Sequence, residues 1–315
     1  MSDSFQQPNG LILVSDVTRS GEDDRPLRVA HRNRDLTRIR RGAYVSAAVG
    51  ESANRDERYD LRIAAVLGTR RTPVVVSHLS AARVWGIPVV APWPRQVHVT
   101  VSPASGNRSK NGVIVHRGVL SLDEVVQTSG VAVTSLIRTL TDVARTAPFR
   151  DAVAALDHAL HHGRTSKPEL LVALDDQQTA IGRRRALRAI AFASPLAKLP
   201  GESFSRVLLH ELGFPPPELQ HEFETAVGQR FADFWWEGVR LIGEFDGKDK
   251  YTNPKYTQDR TPAEVMWAEK QRENELSDHD IRLRRWIWQD LELVQPFIKR
   301  LEMAGLRRGR IRELR

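Results

Sequence analysis

Residues 230–246 read RFADFWWEGVRLIGEFD, two largely apolar runs separated by Glu237-Gly238-Val239. A link that short makes the runs neighbouring strands of a hairpin, since a parallel return needs a crossover of a dozen or more residues. RFADFWW (230–236) and RLIGEFD (240–246) are therefore expected as paired strands of a half-buried sheet. On a strand, every second side chain faces the same way. Glu244 and Asp246 thus project together, with Lys248 two residues further on, and Asp233 on the partner run reaches them from beside.

The flanking segments extend this hairpin into a domain. ESFSRVLLHEL (202–212) carries Phe204, Val207, Leu208 and Leu212 at helical spacing and is closed by Gly213. PPPELQHEFET leads into a strand near 219–225. TPAEVMWAEKQRENELSDH (261–279) reads as a long helix, and IRLRRWIWQDL (281–291) as another strand on which Trp286 and Trp288 alternate. The final segment begins as a helix and ends in a basic tail. The order helix, strand, strand, strand, helix, strand is an α/β layout.

Three carboxylates at one end of a sheet repel one another. Raised pKa values offset that repulsion, and a divalent cation offsets it better. Oxygen donors without His or Cys suit Mg²⁺ or Mn²⁺. Such an ion polarises a phosphoryl oxygen and acidifies a bound water, while a nearby lysine stabilises developing negative charge. Asp233, Glu244 and Asp246 are the candidate metal ligands, and Lys248 the candidate cation. A competing reading pairs Glu244 and Asp246 with Lys248 or Arg272 as structural ion pairs.

This ordered set resembles the PD-(D/E)xK nuclease superfamily, and more closely its small Vsr-like, DUF559-type branch, over roughly residues 198–292. Asp233 matches the first motif acid and Glu244-Phe245-Asp246-Gly247 the second. EKQRENEL (269–276) and RLRRWIWQDL (282–291) are similar to the trailing helix and strand of that branch. The resemblance implies that Glu202, in the opening helix, is an additional acid. The superfamily places a lysine two residues after the second acid. With Asp246 as that acid, Lys248 fits and Glu244 is an extra ligand. With Glu244 as that acid, position 246 is Asp instead of Lys. Where Gly247 breaks the strand and turns Lys248 away, Lys270 or Arg272 on the following helix supplies the positive charge.

The remaining sequence points to an anionic partner. Lys and Arg number 47 against 39 Asp and Glu, a net charge of +8, and nucleic acid is the usual partner of such a balance. The excess is clustered. HRNRDLTRIRRGAYV (31–45) holds Arg32, Arg34, Arg38, Arg40 and Arg41 with Asp35 as its one acid. Leu36, Ile39, Tyr44 and Val45 anchor a short strand pair there, so the segment is expected as the wing of a winged helix, contacting phosphates. Ahead of it, VSDVTRSGEDDRPLR is a poor helix-turn-helix, short, acidic in the middle and containing Pro26. Arg183, Arg184, Arg185 and Arg188 form a second basic cluster, and Arg307, Arg308, Arg310, Arg312 and Arg315 a third. Of Trp235 and Trp236, adjacent on one strand and so facing opposite ways, one is expected in the core and the other near nucleic acid.

Between these parts, SHLSAARVWGIP (77–88) reads as a helix with Ser77 as its cap. RQVHVTVS (95–102) and GVIVHRG (112–118) read as strands, and SLIRTLTDVAR, RDAVAALDHALHHG, SKPELLVALDDQ and RRRALRAIAFA as helices. His158, His161 and His162 share a helix face, expected as solvated rather than metal-binding. RIRRGAYV, SHLSAARVWGIP and VTSLIRTLTDVAR together resemble the AbiEi-type antitoxin family of bacteria, over roughly residues 10–165. That resemblance implies an N-terminal winged helix, an α/β domain, operator binding and a toxin partner encoded nearby.

With 315 residues, two or three domains are expected. These are a winged-helix-like segment (1–48), an AbiEi-like α/β domain (49–197) and a restriction-endonuclease-like α/β domain (198–315). No stretch is apolar enough for a membrane helix, and MSDSFQQPNG does not read as a signal peptide. The absence of cysteine excludes disulfides and thiolate chemistry and fits the cytoplasm. The sequence thus supports a DNA endonuclease using Mg²⁺ or Mn²⁺, or alternatively a non-catalytic regulator or antitoxin on the same scaffold.

Overall fold

The structure is a computed structural model that describes residues 10–70, 72–105, 108–177, 179–225, 228–247 and 281–309. The chain is mixed α/β and divides into two compact units, Met1–Ala155 with Thr165–Ile190, and Leu156–Arg164 with Ala191–Arg315. The first 48 residues, expected as a segment of their own, fall within the first unit.

That unit begins with a three-stranded antiparallel sheet. Its strands β1 (Ile12–Leu13), β2 (Leu36–Arg40) and β3 (Ala43–Ser46) stand in the order β1-β3-β2. Two short helices, α1 (Val14–Arg19) and α2 (Arg25–Arg32), lie between β1 and β2. Pro26 occupies the first turn of α2, where its missing N–H has no intrahelical partner to lose. The proline therefore opens a helix instead of interrupting one. The β2–β3 link turns at Gly42, whose φ of +84° suits glycine. Helix α3 (Ala47–Ser52) follows, then α4 (Arg55–Thr69), started by a capping box of Asn54 and Glu57.

The second sheet of this unit has the order β6-β5-β4-β8-β7, formed by β4 (Val75–Val76), β5 (Val97–Val101), β6 (Val113–Arg117), β7 (Val125–Thr128) and β8 (Val131–Thr134). Alternation along β5 sends Val97, Val99 and Val101 into a core with Tyr59, Ile63 and Val66 of α4. The other face of β5 carries His98 and Thr100. Helices α5 (His78–Val84), α6 (Leu136–Thr146), α7 (Phe149–His161), α8 (Lys167–Asp176) and α9 (Arg183–Phe192) lie where the sequence pattern predicts helices. Ser77, expected to cap α5, makes no side-chain capping bond; its hydroxyl lies 3.0 Å from His78 Nδ1.

In the second unit α10 (Pro200–Glu211) precedes a four-stranded sheet of order β12-β11-β10-β9. Strands β9 (Glu218–Thr225), β10 (Gly228–Trp236) and β11 (Leu241–Phe245) are antiparallel neighbours, and β12 (Arg282–Trp286) joins β11 in parallel. Helices α11 (Trp288–Leu293) and α12 (Gln295–Met303) follow. Trp286 lies on β12, but Trp288 opens α11, so the two do not alternate on one strand. The expected helix 261–279 lies outside the described residues. Trp286 and Phe245 are fully buried, and Trp286 Nε1 donates to Ser205 Oγ on α10 at 2.8 Å. Helix α10 comes so close to β11 that a Cβ on Gly201 would meet Phe245 Cε1 at 2.1 Å. The helix thus locks the strand that carries Glu244.

Candidate active site and nucleic-acid interface

The β10–β11 hairpin gathers the acids. Phe234 pairs with Gly243, so one step further along the register Asp233 stands opposite Glu244 on the same face. Asp233 Oδ2 accepts the backbone N–H of Phe245 at 3.0 Å, and its Oδ1 accepts Gln220 Nε2 at 3.3 Å. Glu244 is buried at the end of β11. Its partner across the parallel ladder is Arg285, whose Nε donates to Glu244 Oε2 at 3.1 Å. Asp246 follows β11 directly, and its N–H donates to Trp286 O at 2.8 Å, holding the chain against β12 for one residue more.

The expected set is thus partly assembled. Asp233 and Glu244 are adjacent, and Asp246 lies one residue past the strand end. Glu202 is buried in the first turn of α10, where its Oε2 accepts the N–H of Lys198 at 2.9 Å; that bond closes the helix start. Lys248, Lys270 and Arg272 lie outside the described residues. No local sequence signal distinguishes Arg285 among the cations of RLRRW. It becomes visible only when β12 is seen to run parallel to β11, a pairing between segments 41 residues apart.

Both tryptophans of β10 are buried, Trp235 to 6% and Trp236 to 5% exposure. The expectation that one of them approaches nucleic acid is therefore corrected. Trp235 packs with Ala232 and Ile242, and Trp236 Nε1 donates to Pro215 O at 2.8 Å. The indoles face opposite ways, as strand alternation requires, but a packed layer covers each side.

Positive charge gathers on the same unit. A cleft between β12 and α12 is lined by Arg284, Arg285, Lys299 and Arg300, with Leu283, Pro296 and Met303 between them. Arg300 is paired to Asp290 at 3.0 Å and Arg285 to Glu244. Among the described residues, its lining carries four cations and no acid.

In the first unit, Arg32 ends α2, Arg34 follows it with φ of +69°, and Arg38 and Arg41 stand on or beside the β2–β3 hairpin. These four are exposed. Arg40 is different. It is half-buried, its Nε and Nη1 are buried without a hydrogen-bond partner, and burial followed by the Arg70 charge lowers its pKa. Four of the five arginines are thus presented to solvent.

Asp233 and Glu244 offer oxygen donors alone, side by side, which suits a hard divalent ion. Among the described residues, no group of three or more His, Cys, Asp or Glu side chains is arranged to hold a metal. An ion there would accordingly draw on Asp246 and on the carboxylate oxygens now engaged by Gln220, Phe245 and Arg285.

No protein-family model matches the chain. Over 173 residues it is 29% identical to two proteins of Mycobacterium tuberculosis, "Uncharacterized protein MT2308" of strain CDC 1551 / Oshkosh and "Uncharacterized protein Rv2248" of strain ATCC 25618 / H37Rv. The match covers 54% of this chain and 62% of each relative. Among solved structures, the RV2827C protein from Mycobacterium tuberculosis is similar at 17% identity and a TM-score of 0.42, over 62% of this chain and 75% of that one. Among the described residues, no helix is long and apolar enough to cross a membrane.

Proposed function

We propose that this protein is a DNA-binding phosphodiesterase of the PD-(D/E)xK type, whose second unit holds the hydrolytic site and whose first unit contributes a wing-like phosphate contact. The observation that carries this reading is the adjacency of Asp233 and Glu244 on a hairpin whose second strand pairs in parallel with a later strand bearing Arg285. The order helix, three antiparallel strands and a parallel fourth supports the same reading.

Asp233, Glu244 and Asp246 would hold Mg²⁺ or Mn²⁺. When bound, such an ion supplies a polarised phosphoryl oxygen and a water of lowered pKa. Arg285 would orient Glu244, and would place positive charge where negative charge develops on the phosphate. Lys248 keeps the charge-stabilising role inferred from its spacing. The cleft of Arg284, Lys299 and Arg300 would seat the flanking phosphates. In the first unit, the sheet order β1-β3-β2 with two helices between β1 and β2 supports a winged helix whose β2–β3 wing presents Arg38 and Arg41.

A second reading is favoured by one observation: Asp233 and Glu244 both have protein partners already. A regulator or antitoxin that uses the scaffold for DNA contact and answers to a toxin encoded nearby would be built this way. Cleavage of supercoiled and single-stranded DNA in Mg²⁺, Mn²⁺ or EDTA, beside Asp246→Ala, separates the two. Metal-dependent nicking lost in the variant supports the enzyme. Intact, chelator-insensitive DNA binding without nicking supports the regulator.

A further inference from the structure

Strand β12 is an edge of its sheet, and α12 packs on it through Trp286 and Phe297, whose ring centroids lie 5.1 Å apart. Between the two elements lies a cavity of about 630 Å³. Lys299 and Arg300 stand four and three residues before Met303, so the three present one stripe of α12 to the cavity. Leu283, Arg284 and Arg285 line it from β12.

Two of its four cations are balanced by acids outside the lining. Arg285 Nε donates to Glu244 Oε2 at 3.1 Å, and Arg300 Nη2 to Asp290 Oδ1 at 3.0 Å. Arg284 and Lys299 differ: among the described residues, neither forms an ion pair. Arg284 Nη1 donates to Leu283 O at 2.9 Å, a neutral acceptor that leaves its charge in place. Arg300 adds an unmet donor, because its Nε is buried and, among the described residues, has no hydrogen-bond partner. A buried donor without an acceptor carries its full desolvation cost. Two uncompensated charges and one orphaned N–H thus border a single cavity.

An oxyanion answers all three groups, and their number selects its kind. Each internal phosphodiester of DNA carries one negative charge. A phosphate monoester carries about −1.5 to −2 at pH 7 and three strong acceptor oxygens. Two free cations and three donor groups match the monoester. Arg284 supplies the planar fork that suits phosphate, and Lys299 a point charge. The cavity is larger than a bare phosphate needs and falls within the range of about 300–1,000 Å³ of small-molecule sites. Leu283 and Met303 give it apolar wall for an attached nucleoside. We infer that the β12–α12 cleft binds the terminal phosphate monoester of a DNA strand, which makes DNA with a phosphorylated end the substrate class. The inference rests on the reading of the second unit as a DNA-processing domain, and it specifies which phosphate the cleft seats. Arg285 belongs both to the cleft and to the acid pair, so an end held there lies beside Glu244.

The test is equilibrium binding of the full chain in EDTA, where no cleavage takes part. Labelled short single strands of one sequence carry a 5′-phosphate, a 3′-phosphate or hydroxyls at both ends. One phosphorylated form should bind about ten-fold tighter than the hydroxyl form, and which one it is gives the polarity. Lys299→Gln, at an exposed position of α12, and Arg284→Gln should each cut that ratio at least about three-fold. The ratio is taken within each variant, so a smaller folded fraction lowers both strands alike. Deoxyadenosine 5′-monophosphate should displace the phosphorylated strand at lower concentration than inorganic phosphate does. The inference is overturned if all three strands bind alike, if neither variant lowers the ratio, or if inorganic phosphate competes as well as the nucleotide, which would make the cleft an orthophosphate site. Metal-dependent cleavage without an end preference would sink this inference and leave the hydrolytic reading in place. An end preference in a protein that cuts with neither Mg²⁺ nor Mn²⁺ would do the reverse.

Discussion

Arg285 stands directly across the parallel β11–β12 pair from Glu244, its Nε 3.1 Å from Glu244 Oε2. Glu244 is buried, with its side chain 8% exposed, against 23% for Arg285. Removing the cation would take the Nε–Oε2 bond from a buried carboxylate, which is costlier than never having built the pair. Arg285→Ala is expected to lower unfolding free energy by about 3 kcal/mol, read from the urea midpoint, with Arg285→Lys recovering part of the loss. The double variant Arg285→Ala/Glu244→Gln should be more stable than Arg285→Ala alone, because the buried charge that lost this ion pair goes with it.

One residue before Glu244, the strand admits no side chain. A Cβ on Gly243 would lie 2.3 Å from Trp286 Cη2 and 2.9 Å from Trp236 Cζ3. Both indoles are buried, so neither can swing aside. Gly243→Ala is expected to destabilise the second unit by about 1–3 kcal/mol through overpacking, seen as a lower melting temperature with altered tryptophan emission. DNA binding through the first unit's hairpin should survive.

The elements around this site were legible because each rests on a local signal. The RFADFWW and RLIGEFD strands, the helix after Leu199 and the terminal helix at Gln295–Met303 all follow from apolar periodicity and short links. Asp233 and Glu244 could be paired because their hairpin is closed by a short link, residues 237–240. Arg285 could not, because its partner strand returns in parallel after a long connection, and no periodicity encodes that register. A cluster of His78, His98 and His116 escaped for the same reason. SHLSAAR, VHVTV and VIVHR each contribute a single histidine, and only the β5–β6 ladder with the start of α5 brings the rings together. Trp288 was misplaced because WIWQDL alternates like a strand, while Asp290 accepts the N–H of Ile287 and starts a helix there.

The same cluster makes stability depend on pH. Burial, reinforced by the neighbouring rings, places His78 well below its ordinary 6.5; burial and the His116 charge lower His98 to about 4; and burial lowers His116 to about 4. In the unfolded chain these imidazoles take up protons near 6.5, so acidification from about 6.5 to 4 favours unfolding. Asp142 acts in the opposite sense. Burial raises it to about 6, so the folded form gains its proton first as pH falls. Within the cluster, three groups against one make its contribution acid-destabilising. That contribution is read as the difference between parent and His116→Gln, whose loss of melting temperature through that window should be shallower by about one proton. A dependence identical in parent and variant would contradict the buried neutral stack.

The arginines of the β2–β3 hairpin give the last prediction, and it is a matter of salt. Arg38 and Arg41 are exposed, whereas Arg40 is half-buried beside Arg70. If the hairpin follows a phosphate backbone, each exposed arginine releases a condensed counterion on binding, and the plot of log affinity against log salt steepens by about 0.9 per duplex contact. Arg38→Ala and Arg41→Ala should each weaken binding of any duplex sequence and flatten that slope by about one unit. Arg40→Ala should leave the slope nearly unchanged and alter thermal stability instead, because it removes a half-buried side chain, not a phosphate contact. Fluorescence anisotropy with two unrelated duplexes across a salt series, in EDTA, reads this contrast without involving metal or cleavage. If the slope shifted equally in all three variants, Arg40 would be a phosphate contact like the others. If it shifted in none, DNA would bind elsewhere, with the β12–α12 cleft of Arg284 and Lys299 the next surface to mutate.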